Sequence, residues 1–278
     1  MRIDGHTEVI AHLGYPTHSF KAPLIYNPYF AAAGINAVVV PMACRAGSFA
    51  RVLKDFFELD NARGALITMP HKVSVVALLD EASTAVQVSG ACNAVRRSAD
   101  GKLAGDQFDG EGFVRGVKRK GFEVTGARCL VVGCGGVGRP IAASLAQAGA
   151  KEIALFDTSE HATADLAQRL RTHYPRVAVA IGGKDPAGFD LVVNATPLGM
   201  DDGDALPVDP SRLDAHTFVG DVVMRKTITP FLAAAQARGC RIQVGTDMLF
   251  EMIPPYLEFF GLPVATPERF RELAQLED

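Results

Sequence analysis

Short apolar runs alternate with stretches of helical spacing along almost the whole chain. EVIAHLG reads as a strand, NAVVVPMA as a second strand closed by Pro41, and GALITMP as a third. Between them, APLIYNPYFAAAG and SFARVLKDFFEL carry apolar residues at helical intervals, the first ended by Gly34. Strand–helix–strand order of this kind predicts βαβ units and a mainly parallel sheet. A turn-like GKLAGD near residues 101–106 marks a boundary, and DGEGFVRGVKRKGF follows as a connecting helix. From ARCLVVGCGG a second alternation begins. KEIALFD, AVAIGG, DLVVNAT, TFVGDVV and CRIQVG are strand-like, with helical stretches between most of them, and DMLFEMIPPYLEFFG and PERFRELAQL close the chain as two helices.

The length of 278 residues agrees with two domains at roughly 100–200 residues each. The formal net charge of −3 offers no basic field for nucleic acid. No apolar run approaches the ~18–20 residues of a membrane span. The opening MRIDGHTEVIAHLG is polar and then strand-like, not a signal peptide, so a cytoplasmic protein with no membrane partner is expected. Cys44, Cys92, Cys129, Cys134 and Cys240 are scattered without a CxxC pair. They read as packing residues in a reducing compartment, not as a disulfide framework or zinc knuckle. The histidines show no metal spacing, and no metal is expected.

VVGCGGVG places Gly133, Gly135 and Gly138 in GxGxxG spacing, with Gly136 and Val137 inside the loop. The spacing alone is a weak signal. Here it follows the strand LVV and opens the helix RPIAASLAQAG, which is the context that gives it meaning. The first glycine allows a tight turn, the second lets backbone approach a pyrophosphate, and the third lets helix pack on strand. The helix N-terminus adds free N–H groups and partial positive charge. Asp157 ends the next strand, roughly 20-odd residues beyond Gly133, where a carboxylate accepts from both ribose hydroxyls and repels a 2′-phosphate. No Arg or Lys follows at once in DTSEHATAD, so the expected cofactor is NAD, with NADP disfavoured. The fold class is therefore α/β. An N-terminal, mainly parallel α/β substrate-binding and catalytic domain spans 1–103, helices 247–278 pack back on it, and a Rossmann dinucleotide-binding domain spans 104–246.

ALITMPHKV sets Lys72 just past a strand end, at the edge where open α/β sheets take ligands, and GDQFDGEGF sets Asp109 in a glycine-rich turn. His71 reads as a strand-end residue. With these residues in place the chain resembles the shikimate dehydrogenase family nearly end to end. LITMPHK resembles that family's NVTVPFK, GACNA its GAVNT, and GDQFDGEG its GDNTDGVG. VVGCGGVG, the run Asn194–Ala195–Thr196, DVVMRKTITP and DMLFEM also resemble family motifs, in the family's order. The resemblance implies that Lys72 and Asp109 form a catalytic pair and that Thr68 and Asn93 contact substrate. It also adds Asn194, Ala195, Thr196 and Gly245 to the cofactor-binding set.

Where the family's opening motif resembles GNPxxHSxSP, this chain has GYPTHSFKAP. Aligned without a gap, the two serines that hold the substrate carboxylate fall on Phe20 and Ala22. The late tyrosine falls on Met224, the glutamine of the final motif on Met252, the threonine of NTD on Phe108 and the asparagine of NVT on Leu66. Hydroxyls and amides have become apolar groups, and a buried carboxylate without donors is costly. The expected activity is hydride transfer between a nicotinamide and a cyclic hydroxy compound, shikimate- or quinate-like but altered at the carboxylate end. Lys21 and Arg225 are the cations available to rescue a carboxylate. The competing expectation is a non-catalytic NAD-binding regulator on the same fold. The expected partner is a small cyclic alcohol, with a monomer or homodimer as the assembly.

Overall fold

The computed structural model describes residues 3–276. It divides into two compact units. One comprises the chain up to Gln87, Ala91–Phe108 and the chain from Ile253 onward; the other comprises Val88–Gly90 and Asp109–Met252. The dividing lines fall at 108/109 and 252/253, where the pattern of the sequence places 103/104 and 246/247.

In chain order the elements are β1 (Glu8–Gly14), α1 (Pro23–Ala33), β2 (Ala37–Ala43), α2 (Ala46–Phe57), β3 (Ala62–Ile67), β4 (Glu81–Ala82), α3 (Thr84–Ser89), β5 (Ala94–Arg97) and β6 (Leu103–Asp106). They continue with α4 (Asp109–Arg119), β7 (Arg128–Val132), α5 (Gly138–Gln147), β8 (Glu152–Phe156), α6 (Glu160–His173), β9 (Ala178–Ile181), β10 (Leu191–Asn194) and β11 (Phe218–Asp221). The last are α7 (Pro230–Ala237), β12 (Arg241–Gln243), α8 (Gly245–Phe259) and α9 (Pro267–Leu273).

The first unit holds a sheet of order β2-β1-β3-β5-β6-β4. β1 runs parallel to β2 and β3, while β5 is antiparallel to both β3 and β6. The C-terminal ends of β1, β3 and β6 therefore share one edge with the N-terminal start of β5. Alternation along the strands sends Ala11, Leu13, Ala65, Ile67 and Val95 into a core with Phe49, Leu53, Phe56 and Phe57 of α2. Gly34 ends α1 as the sequence predicts, in the left-handed conformation at φ 66° with its N–H on the Phe30 carbonyl.

Two local expectations fail for physical reasons. β2 does not close at Pro41 but runs on to Ala43. It is an edge strand, where a missing N–H leaves no ladder bond unmade. The turn-like GKLAGD contains β6, and its Gly105 is the position where a Cβ would strike Leu79 and the Cys92 sulfur. The glycine marks close packing in a strand, not a turn.

The second unit is a wholly parallel sheet of order β12-β11-β10-β7-β8-β9. Counted from its own first strand this is 6-5-4-1-2-3, the doubly wound order, with its reversal between β7 and β10. Both faces are covered, so the strands read as continuous apolar runs. Cys129 and Val131 point into one core with Ile141, Leu145, Leu166 and Leu170. Leu130 and Val132 point into the other with Val192, Phe231 and Leu232. The α/β class with a mainly parallel first unit and a Rossmann-type second unit stands as read. Among the described residues no helix is long and apolar enough to cross a membrane.

Candidate functional site

In the first unit the candidate residues gather at the shared sheet edge. Lys72 follows β3 and is half-buried; its carbonyl accepts the Cys92 N–H at 2.7 Å. That bond ties the lysine loop to the segment carrying Asn93. Thr68 is fixed by its N–H on the Leu13 carbonyl (2.9 Å) and by its own carbonyl accepting from the His71 N–H (2.9 Å). Asn93 is fully buried, its Oδ1 accepting the Phe108 N–H at 3.0 Å, while its Nδ2 has no hydrogen-bond partner. Phe108 is buried edge-on to Tyr256, with ring centres 4.9 Å apart, so the position that holds a threonine in the family motif is here part of an aromatic wall. Leu66 is buried as well.

The loop after β1 places its residues unevenly. His18 and Ser19 are exposed, Lys21 is half-exposed and Ala22 is buried at the entry to α1, where it offers no side-chain cap. Phe20 folds inward over Gly14. A Cβ on Gly14 would meet the Thr68 methyl, the Met69 carbonyl and the Phe20 ring, so glycine is what admits the ring there. Phe20 stacks on His12, with centroids 4.1 Å apart and planes 28° apart. His12 is a residue the sequence does not single out. Burial, helped by the positive charge of Lys72, pushes its imidazole down to about 3. His71 is taken up by packing: its Nε2 is 2.7 Å from the Cys44 carbonyl and its ring stacks on Phe49 at 3.9 Å.

In the second unit the candidates stand at the C-terminal ends of the parallel strands. Gly133 has φ 103°, and a Cβ there would meet the Ala195 carbonyl at 2.6 Å. A Cβ on Gly138 would run into the Gly133 carbonyl. Gly135, by contrast, is exposed with nothing within 4 Å of a built Cβ. The outer two glycines thus shape the loop and the middle one leaves its surface open, as a cradle for a pyrophosphate requires. Gly136 and Val137 complete it, half-buried. Cys134, in the same loop, is a packed residue whose thiol burial pushes up to about 11. Arg139 ties the loop down, donating from Nε to the Cys134 carbonyl (3.0 Å) and from Nη1 to Asp165 of α6 (2.6 Å).

Asn194 is fully buried. Its Nδ2 donates to the Leu198 carbonyl (3.0 Å) and to Asp221 (3.1 Å), and its Oδ1 accepts from the Thr196 N–H and hydroxyl. Ala195 lies against Gly133, so this triplet shapes the wall beside the glycine loop. Asp221 joins the network, accepting from Val223 N–H and Thr229 Oγ1 (2.7 Å), and burial raises its carboxyl above the ordinary range. The DVVMRKTITP motif contains this residue, but the hydrogen bonds that give it a role span β10, β11 and the start of α7, a pairing that no local pattern displays. Gly245 opens α8 against the Val223 carbonyl, and Met252 of α8 lies beside Gly112 of α4. Met224 is half-buried against the core. Arg225 is exposed and paired with Asp201. Asp109 is not in a turn: it is the buried first residue of α4, where the helix dipole favours a carboxylate.

Residues 13–95 match the family model described as the shikimate dehydrogenase substrate binding domain, and residues 119–169 match that of the ThiF family. A shikimate dehydrogenase (NADP(+)) from Rubrobacter xylanophilus is 36% identical over 252 residues, covering 89% of this chain and 88% of its own. Among solved structures, shikimate 5-dehydrogenase from Listeria monocytogenes in complex with shikimate and NAD gives a TM-score of 0.88 at 26% identity, covering 98% of both chains. The ligand-free form of 5-ketofructose reductase of Gluconobacter sp. strain CHM43 gives 0.85 at 26% identity, over 96% of this chain and 97% of that one.

These relatives overturn the expectation of NAD. The Rubrobacter enzyme and others 31–34% identical are named for NADP(+). The geometry gives the acid a second task. The Asp157 carboxylate, read from spacing as a ribose acceptor, takes the Cys134 N–H on one oxygen (2.6 Å) and the Ser159 N–H on the other (2.8 Å). It braces the glycine loop against the start of α6, and spacing alone does not distinguish a brace from a nucleotide-selecting acid.

Proposed function

Because the chain belongs to the shikimate dehydrogenase family, we propose that it is an NADP-dependent oxidoreductase interconverting an alcohol and a ketone on a shikimate- or quinate-like compound, altered at the carboxylate end. The observation that carries this reading is the lysine loop of the first unit. The 2.7 Å bond from Cys92 N–H to the Lys72 carbonyl keeps a half-buried ammonium at the sheet edge with Thr68 and Asn93. These residues suit an alcohol and its ketone. In the direction of reduction the Lys72 ammonium stabilises the negative charge developing on the oxygen and gives it a proton, and in the reverse direction the resulting amine takes that proton back. Thr68 and the orphaned Nδ2 of Asn93 hold neighbouring hydroxyls. Asp109, at the N-terminus of α4, supplies the carboxylate partner in the proton chemistry.

The second unit fits a dinucleotide. The open surface at Gly135 and the N-terminus of α5 receive the pyrophosphate. Thr158 and Ser159, both exposed at the start of α6, and Lys184, whose ammonium lies 5.6 Å from the Phe156 ring centre, are the groups assigned to a 2′-phosphate. When bound, the nicotinamide supplies the acceptor or donor of hydride. Phe20 and Ala22 leave no hydroxyl where the family grips a carboxylate, so shikimate is expected to bind weakly.

Initial rates with shikimate and quinate, each with NADP⁺ and with NAD⁺, test the reading. The expected result is turnover at least tenfold more efficient in kcat/KM with NADP⁺, and a KM for shikimate well above that of a variant with both loop serines restored. Equal use of both cofactors removes the assignment of Thr158, Ser159 and Lys184.

A further inference from the structure

Resting on the reading above and deepening it, we propose that His12 is a specificity-determining residue that hydrogen-bonds a hydroxyl of an uncharged polyol, in place of the carboxylate grip that Phe20 and Ala22 have removed. Its imidazole is 8% exposed, and its Nδ1 has no hydrogen-bond partner. A buried nitrogen left without a partner destabilises the free protein, and a ligand that completes the bond recovers that loss on binding. Asn93 Nδ2 is in the same condition in the same unit.

The register assigns His12 to the face where recognition has changed. His12 lies opposite Leu66 of β3, so the two side chains leave the same face of the sheet, and Leu66 stands where the family motif has an amide. Phe20, standing where the motif has a serine, stacks on the His12 ring. Two polar positions have become apolar beside a third residue that carries an unsatisfied nitrogen. A hydroxyl suits it because it donates to one nitrogen lone pair or accepts one N–H without a charge.

A carboxylate does not suit it. An imidazole held down to about 3 by burial and by Lys72 is neutral near pH 7, so it offers an anion a single N–H and no charge to offset the desolvation of the carboxylate. The solved 5-ketofructose reductase shows that a chain of this architecture is named for an uncharged sugar.

The test combines rates with direct observation of the ring. Wild type, His12→Phe and His12→Asn are assayed with 5-ketofructose, myo-inositol, shikimate and quinate, and the ¹⁵N resonances of the His12 imidazole are followed during titration with each compound. The expected result is a move of the His12 Nδ1 resonance with an uncharged polyol while the ring stays neutral. His12→Phe, which keeps the stack on Phe20, should raise the KM for that polyol about tenfold or more with a smaller change in kcat, and His12→Asn should restore part of it. A His12 resonance unmoved by all four compounds, or an unchanged polyol KM in His12→Phe, overturns the inference. Turnover of shikimate but of neither uncharged polyol, with the shikimate rate indifferent to His12→Phe, sinks the role of His12 while leaving the oxidoreductase reading intact. Movement of the resonance without any turnover keeps His12 as a binding residue and sinks the oxidoreductase reading instead.

Discussion

His12 also makes the protein sensitive to acid, with a definite sign. Its folded-state value of about 3 lies below the ordinary 6.5. Between these limits the unfolded chain binds a proton that the native chain refuses, so stability falls as pH drops below 6.5, at up to about 1.4 kcal/mol per pH unit. Above 6.5 the contribution is fully present. Asp221 has the opposite sense, since burial raises its carboxyl, but it is common to wild type and variant and cancels in their difference. Urea unfolding at pH 7 and pH 5 should therefore show wild type losing more stability than His12→Asn; parallel losses would show that the imidazole is not held neutral. Neither residue was legible as a participant. A histidine in EVIAHLG reads as one alternating strand position, and its neighbours Phe20 and Lys72 arrive from other segments. The positions of Lys72 and Gly133 were legible because each sits where the local form announces a strand end or a loop, whereas Asn93 was reached only through the family resemblance.

At the scale of elements, glycine is the residue that pattern reading resolves least, because its meaning lies in the partner that approaches it. Gly110 of α4 meets the Pro140 carbonyl of α5 so closely that a Cβ has no space. Gly47 of α2 has nothing within 4 Å. Gly110→Ala must push the two helices apart and should cost about 1–3 kcal/mol by overpacking. Gly47→Ala, free of strain, should stabilise by about 0.5 kcal/mol through lost chain entropy in the unfolded state. Denaturation midpoints of the two variants should move in opposite directions, and a shift of the same sign in both would remove close packing as the reason for Gly110. The same blindness made a turn of GKLAGD and set Asp109 in a glycine-rich turn, though DGEGFVRGVKRKGF also read as the helix it is; Gly105 and Gly110 mark backbone pressed against a neighbour. The strands and long helices were legible because their apolar period needs no partner to be seen.

For the whole molecule, the order of elements carried most of the information. A mainly parallel unit followed by a doubly wound one was readable from alternation, though the strand order was not, and neither was cofactor choice, since the spacing that makes Asp157 a ribose acid is also that of a residue bonded to the glycine loop and the start of α6. The chain also keeps the two groups of candidate residues on separate cores. The residues around Phe49, Leu53 and Ile67 belong to the first unit, and those around Val131, Ile141 and Leu166 to the second. Lys72, to which the proton chemistry is assigned as a proposal, is thus supported by one core and the glycine loop by the other. Lys72→Ala removes the group proposed to exchange a proton with the alcohol oxygen, without touching any residue of the glycine loop. It should lower kcat by about 10²–10⁴, while NADP⁺ affinity, measured calorimetrically, stays within about twofold of wild type. Residual turnover near the wild-type rate would assign the proton to another group, and loss of NADP⁺ binding would mean that the two cores do not work independently.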